Sequence, residues 1–324
     1  MKLAITHETR YDYASPVESA HHVAHLCPLQ SPSQTLVSHH LTLEPFPGGH
    51  GMTQRTDALG NTLTQWYIDQ PHRHLRVSSR SVVITHALPE MRSKVTCLES
   101  QQTHRYQTAR PADPHCLYAY PSLLVPEHPA FIAYARHDFA PQRPLTDAAL
   151  ALMQRMHREL TYDPDSTQVD TPALSALNLR RGVCQDFAHI MLACLRQMGH
   201  AACYVSGYLL TQSAPGQPRL LGGDASHAWV ALHIPGASNH PSLGWLHLDP
   251  TNQRHGWGSP GPDYVVVAQG RDFADVSPLK GVLRGGSSHQ PQVSVSVEPL
   301  ADADMHPPSV QGATVAGVTA PRVK

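Results

Sequence analysis

Residues 180–189, Arg180-Arg181-Gly182-Val183-Cys184-Gln185-Asp186-Phe187-Ala188-His189, carry one cysteine from a glycine-bearing loop onto the start of a helix. Apolar residues then recur at Phe187, Ile190, Met191, Cys194, Leu195 and Met198, the stripe of a helix packed on a core. Gly199 suits the end of that helix, because glycine takes the left-handed conformation at little cost. Cys184 therefore falls in the first helical turn. Unpaired N–H groups and the positive end of the macrodipole favour an anion there, and the thiolate is the nucleophilic form of cysteine. Taken alone, Cys184 reads equally well as a small buried hydrophobe.

Two later stretches give the cysteine company. Ser226-His227-Ala228-Trp229-Val230-Ala231-Leu232 has a strand pattern with a histidine near its start, and Gly244-Trp245-Leu246-His247-Leu248-Asp249-Pro250-Thr251-Asn252 is a second strand that ends in an aspartate. The connection between them is rich in Pro, Gly, Ser and Asn, so the two strands are expected to pair antiparallel and hold His227 beside Asp249. The chain order is nucleophile, base, and a group that orients the base. Each has a plainer reading: His227 as a core histidine bonded to backbone, Asp249 as a turn cap before Pro250.

The stretch 180–189, the run Tyr204-Val205-Ser206-Gly207-Tyr208-Leu209, Ser-His-Ala-Trp-Val at 226–230 and Leu-Asp-Pro-Thr-Asn at 248–252 together resemble the bacterial transglutaminase-like proteins. The resemblance is dense over roughly residues 145–255 and thinner over the N-terminal region. It implies an α+β protein, with a β-rich N-terminal domain preceding a papain-like, transglutaminase-like catalytic domain. It further implies cysteine-dependent acyl chemistry on amide or peptide bonds through a thioester. Cys184 would attack, His227 would pair with it and protonate the leaving group, and Asp249 would hold the imidazole tautomer. The substrate would be a protein or peptide, and no cofactor is expected. Water as acceptor makes a peptidase or amidase, an amine makes a transglutaminase, and the rival from another class is a non-catalytic binding module on the same scaffold. One oxyanion donor is the Cys184 N–H. The second is open among Tyr162, Asn178 and Gln185, since no tryptophan lies between Trp66 and Trp229 to take the role that a tryptophan has in animal transglutaminases. Asp186 is read as a favourable charge in the first helical turn, and Trp229 as packing near the imidazole. No oxygen-rich calcium loop is visible, and no fourth ligand accompanies Cys184, His227 and Asp249 to suggest zinc.

Composition narrows the rest. A chain of 324 residues with a formal net charge of −1 has no basic stripe for nucleic acid. There is no long apolar run for a membrane span and no signal-peptide core at the start, so the location is expected to be cytoplasmic. Six cysteines, Cys27, Cys97, Cys116, Cys184, Cys194 and Cys203, lie at wide, irregular spacings without a CxxC, which signals neither a zinc ribbon nor a disulfide framework. The 24 histidines are an unusual load. His21, His22 and His25 on a helix, or His72 with His74 on a strand, have the spacing of metal pairs, but without an acid or cysteine beside them they read as solvated surface histidines. Nothing in the sequence fixes the oligomeric state.

In chain order, residues 1–88 read as β-structure. Leu3, Ile5 and His7 alternate with polar neighbours, Tyr11 and Tyr13 keep the period, and Leu41–Leu43, Leu63–Ile68 and Leu75–Thr85 add strands, with a hairpin turn at Thr56–Thr62. An antiparallel sandwich or barrel is expected, serving as a packing partner. Residues 89–144 form a proline-rich connecting segment with one short helix near Pro129–His137. The catalytic domain is placed at 145–300, with Thr146 or Asp147 capping its first helix and Thr171-Pro172 opening the next. Strands follow at Ala202–Leu209, His227–Ile234, Gly244–Asp249 and Tyr264–Ala268, a closing motif at Gly270–Pro278, and an edge strand at Val293–Val297. The loop Thr211–Gly223 is expected to be mobile, and 301–324 to be a disordered tail.

Overall fold

A computed structural model describes residues 1–48, 51–91, 93–108, 117–211, 226–238, 243–287 and 290–301. Both the loop 212–223 and the tail from 302 onward, expected to be mobile and disordered, lie outside the described residues.

The chain opens with strands β1 (Lys2–Ala24), β2 (Gln34–Glu44), β3 (Met52–Thr56), β4 (Thr62–Ile68) and β5 (His72–Thr85). Helices α1 (Cys97–Thr108), α2 (Pro129–Ala135) and α3 (Leu145–Glu159) follow, then the short β6 (Thr161–Tyr162), α4 (Ala173–Leu179), β7 (Arg181–Gly182) and α5 (Cys184–Gln197). The remainder is β8 (Ala202–Leu209), β9 (Ser226–His233), β10 (Trp245–Asp249), β11 (Arg254–Trp257), β12 (Tyr264–Gly270), α6 (Phe273–Val276), β13 (Leu279–Gly285) and β14 (Pro291–Pro299).

Two antiparallel sheets organise these elements. The first runs β2-β5-β1-β4-β3, with β13 and β14 also on β1. Its spine is β1, whose first half pairs with β5 and β14 and whose second half pairs with β4 and β13. The strands at 279–299 thus hydrogen-bond within the sheet that the N-terminal residues begin. The second sheet runs β11-β10-β9-β8-β12. One side of it packs on α5 and α3 through Tyr204, Val230, Leu232 and Leu248. The other side carries Val205, Trp229, Ala231 and Tyr264. Val83, Val297 and Ile5 of the first sheet meet Tyr208, Val265 and Val267 of the second, fusing the sheets along one apolar seam.

Several local expectations hold and some need correction. Helix α5 is buried on all faces from Asp186 to Arg196, not along the expected stripe alone; Met198 is its half-buried C-cap, and Gly199 follows at φ +83°. The turn between β3 and β4 has Gly60 at φ +86°. Helix α3 starts two or three residues earlier than the capping rule implies: Pro144 occupies the cap, and neither Thr146 nor Asp147 does. The histidine reading fails for three residues. His22, His25 and His72 are buried, while His21 and His74 are exposed. The cause is that β1 continues to Ala24 as a strand, so His21 and His22 point to opposite faces. His22 stacks on Trp66 with ring centroids 5.3 Å apart, and His72 meets Tyr13 edge-on at 5.8 Å.

Candidate active site

The cysteine is delivered by a chain of local constraints. Helix α4 ends at Arg180 in the left-handed conformation, φ 55°, which turns the chain sharply. Arg181 and Gly182 then pair in parallel with Thr161 and Tyr162. Val183 is extended and caps α5, and its N–H donates to the Asp186 carboxylate at 2.8 Å. The same carboxylate oxygen accepts the Thr167 hydroxyl at 2.7 Å. A Cβ on residue 182 would lie 2.5 Å from that oxygen, so glycine is what the close approach requires. Burial pushes the Asp186 pKa up, against the pull of both hydrogen bonds. Asp186 thus closes the first turn of α5 from within, a concrete form of the first-turn charge expected from the sequence.

This leaves Cys184 as the first residue of α5 and half-buried, whereas Cys27, Cys97, Cys194 and Cys203 are buried. It lies close enough to the His227 imidazole to help raise that group's pKa. His227 sits at the start of β9, and Asp249 ends β10; the register sets Leu248 opposite Val230, which brings Asp249 within reach of His227. His227 Nε2–H donates to Asp249 Oδ2 at 2.7 Å. Because Nε2 is committed to Asp249, Nδ1 is the ring nitrogen left to face the thiol. The three residues predicted from separate stretches are therefore one contiguous arrangement.

Electrostatics sharpen it. Burial opposes the imidazolium, but the hydrogen bonds to Asp249 and Cys184 and the charges beside it outweigh burial and push the His227 pKa up to about 10. Burial likewise opposes the Asp249 carboxylate, yet His227, Asn252 and Tyr264 together hold its pKa below the ordinary value. Among the described residues no group of three or more His, Cys, Asp or Glu side chains is arranged to hold a metal.

Trp229 lies two residues along the strand and stacks on His227 with centroids 6.0 Å apart, as expected. It is fully buried, and its Nε1–H donates to His247 Nδ1 at 2.8 Å. Gly207 stands opposite His227 in the ladder. Any side chain there would collide with the Val265 carbonyl and with the Trp229 indole, so this glycine makes room for the wall behind the imidazole.

Of the three candidate oxyanion donors, the structure brings one to the cysteine. Tyr162 is 53% exposed on the two-residue strand beside Gly182, and its phenol pKa is raised by partial burial and then by the proximity of Cys184. Gln185 turns away, donating to the Val169 carbonyl at 2.7 Å, and Asn178 lies exposed on α4. Two residues at the site escape the sequence reading. Asn252 Nδ2 donates to Asp249 Oδ2 at 2.8 Å and lies 3.3 Å from His227 Nε2. Its signal is present in the Asp-Pro-Thr-Asn turn, where a residue three positions after the aspartate folds back on it. The Tyr264 hydroxyl donates to the same oxygen at 2.8 Å. It arrives from another strand, and nothing in its neighbours marks it.

Comparison with known proteins places the chain as a whole. Residues 3–84 match the bacterial transglutaminase-like N-terminal region, and residues 133–250 match the transglutaminase-like superfamily. An uncharacterized protein of Mycobacterium tuberculosis is 36% identical over 308 residues, covering 93% of this chain and 94% of its own. An uncharacterized protein of Mycobacterium leprae is 30% identical over 300 residues, covering 93% and 99%. The crystal structure of a candidate cysteine protease from Cytophaga hutchinsonii shares the fold, with a TM-score of 0.68 at 19% identity over 95% of this chain and 93% of that one. The chain belongs to the bacterial transglutaminase-like family, a group of cysteine-dependent enzyme type, and carries both its N-terminal region and its core.

Proposed function

We propose that the protein hydrolyses an amide or peptide bond in a protein or peptide substrate through a thioester on Cys184. The observation that carries the reading is Cys184 at the first turn of α5 beside the His227–Asp249 pair, which is joined by a hydrogen bond of 2.7 Å. In the first step the Cys184 sulfur bonds to the substrate carbonyl carbon and the carbonyl π pair moves to oxygen. The Cys184 N–H, an orphan donor of the helix start, and the Tyr162 hydroxyl stabilise that oxyanion. As the tetrahedral species collapses, the C–N bond breaks and the His227 imidazolium gives its proton to the departing amine. Water then enters. His227 takes its proton, hydroxide adds to the thioester carbon, and loss of the thiolate returns Cys184 and releases the acid. Asp249 stays ionised throughout and keeps Nε2–H pointed at itself, so Nδ1 serves the thiol.

Hydrolysis is favoured over transfer by the rim. A transferase excludes water from its thioester and binds an amine instead. Here Tyr162, near Cys184, and Asn252, 3.3 Å from the His227 ring, are both exposed. The test is an acyl-donor peptide with and without millimolar primary amine, with products weighed by mass spectrometry. Free acid as the main product in both supports hydrolysis. Dominance of the amine adduct makes the protein a transferase. Absence of any turnover by Cys184 across a donor panel leaves a binding module.

A further inference from the structure

Asp249 is fully buried and unusually well supplied with donors. Its Oδ1 accepts the backbone N–H groups of Thr251 at 2.9 Å and Asn252 at 3.2 Å. Its Oδ2 accepts His227 at 2.7 Å, the Asn252 amide at 2.8 Å and the Tyr264 hydroxyl at 2.8 Å. All but one of these donors come from the β9–β10 hairpin and the turn after it. Tyr264 comes from β12, the outermost strand of the second sheet on the far side of β8.

The outer edge of β12 would ordinarily present unpaired backbone groups. Here two side-chain amides from the N-terminal region fill the place of a neighbouring strand. Gln34 Nε2 donates to the Val266 carbonyl at 2.7 Å while Gln34 Oε1 accepts the Val266 N–H at 2.8 Å. Asn61 does the same at Gln269, donating to its carbonyl and accepting its N–H, both at 2.8 Å. A carboxamide carries one donor face and one acceptor face, so each reproduces the pair of bonds a peptide unit would make. The Leu29 N–H adds a third bond to Val266 O at 3.1 Å. Gln34 and Asn61 are both buried. Next to Tyr264 the approach is fixed further: Thr85 Oγ1 donates to the Pro262 carbonyl at 2.6 Å, and the Arg254 guanidinium lies 4.7 Å over the Tyr264 ring.

We propose that Tyr264 is a positioning residue for the His227–Asp249 pair, and that the N-terminal region holds it in place through the Gln34 and Asn61 clamps on β12. The proposal rests on the catalytic reading of that pair. Its physical content is that the turn after β10 holds Asp249 from one side, and the Tyr264 hydroxyl adds a hold from a second strand that sets where Oδ2 meets Nε2. The N-terminal region would then act on the chemistry through one strand without touching substrate.

The test is the titration of His227 followed by 15N NMR in histidine-labelled protein, which needs no substrate. Tyr264→Phe removes one hydroxyl and keeps the ring. It is expected to slacken the pair and move the alkaline transition of His227, about 10 in the intact protein, downward by about one pH unit, the size of one charged hydrogen bond. Gln34→Leu is expected to move it in the same direction by less, and the double variant to go no further than Tyr264→Phe. Should Gln34→Leu fail to fold, Asn61→Ala removes the other clamp without adding a charge. On a turned-over donor, Tyr264→Phe should lower kcat roughly 10- to 100-fold with KM unchanged. An unmoved or raised transition in Tyr264→Phe overturns the positioning role, and lower melting without any titration change in both clamp variants overturns the N-terminal part. If the transition moves as expected while no donor is turned over, the catalytic reading fails and the positioning geometry stands.

Discussion

His7 and His22 of the first sheet are buried imidazoles and His227 of the second is nearly so, yet the first two are held neutral and the third is held as a cation. Burial drives His7 down to about 4, and burial followed by His72 and His21 drives His22 to about the same value. His7 finds only neutral partners, the Tyr208 hydroxyl at 2.9 Å and the Thr9 hydroxyl at 3.3 Å. His227 pays the same desolvation and ends near 10, because a carboxylate sits 2.7 Å away. The lesson is that histidine number and burial say little about chemistry. One aspartate, placed by strand register, turns a packing residue into one held as a cation.

The sharpest way to break this contrast is to remove the carboxylate charge. Asp249→Asn should pull the His227 pKa down from about 10 and cost on the order of 10⁴ in kcat by analogy with other triads. Cys184→Ala should abolish turnover, and His227→Ala should cost about 10²–10⁴. Steady-state rates with melting curves on the same preparations check all three. Near-full activity in Asp249→Asn with unchanged melting would mean another acid orients the imidazole.

Stability against pH separates the two classes by sign. For His7 and His22 the unfolded chain binds a proton near 6.5 and the folded protein only near 4, so stability should fall as pH drops through that window, by on the order of 3 kcal/mol each. His227 runs the other way: its contribution is complete below 6.5 and lost as pH rises through about 10. Melting temperature should therefore decline on both sides of neutrality, and His7→Gln should flatten only the acid limb. A flat melting profile from pH 7 to 4 contradicts the assignment.

Thiol labelling is a gentler probe. Burial raises the pKa of Cys27, and of Cys97, Cys194 and Cys203 to about 11, 12 and 12, while Cys184 is the accessible one among the described cysteines. Limited iodoacetamide treatment near pH 6 should mark Cys184 first on peptide mapping. Equal labelling of Cys97 or Cys116 would remove the claim of an activated sulfur. The smallest effect expected is none at all: a chelator should leave both rate and melting temperature unchanged, and a loss that calcium restores would refute this.

How much of this is readable from the chain alone follows from range. Cys184, its helix and the hairpin holding His227 and Asp249 are legible because each depends on a stretch of about ten residues with strong periodicity or punctuation. Trp229 is legible because two residues along a strand share a face. Tyr264 is not, because its role arises only when β12 is laid beside β8. The clamps at Gln34 and Asn61 are invisible for the same reason: over 200 positions separate each from its partner. The buried histidines mislead because the spacing of His21, His22 and His25 suits a helix, whereas the strand runs on to Ala24, and burial follows from the period assumed.

The central claim, that Cys184 carries the acyl group, is tested most directly by trapping it. Protein mixed with an activated acyl donor, quenched in acid within the first turnover and weighed intact, should gain the mass of one acyl group, mapped by digestion to Cys184. Cys184→Ala should gain nothing, and Asp249→Asn should gain it far more slowly. An unmodified wild-type protein that nonetheless releases product, or an adduct on any other residue, would contradict the account.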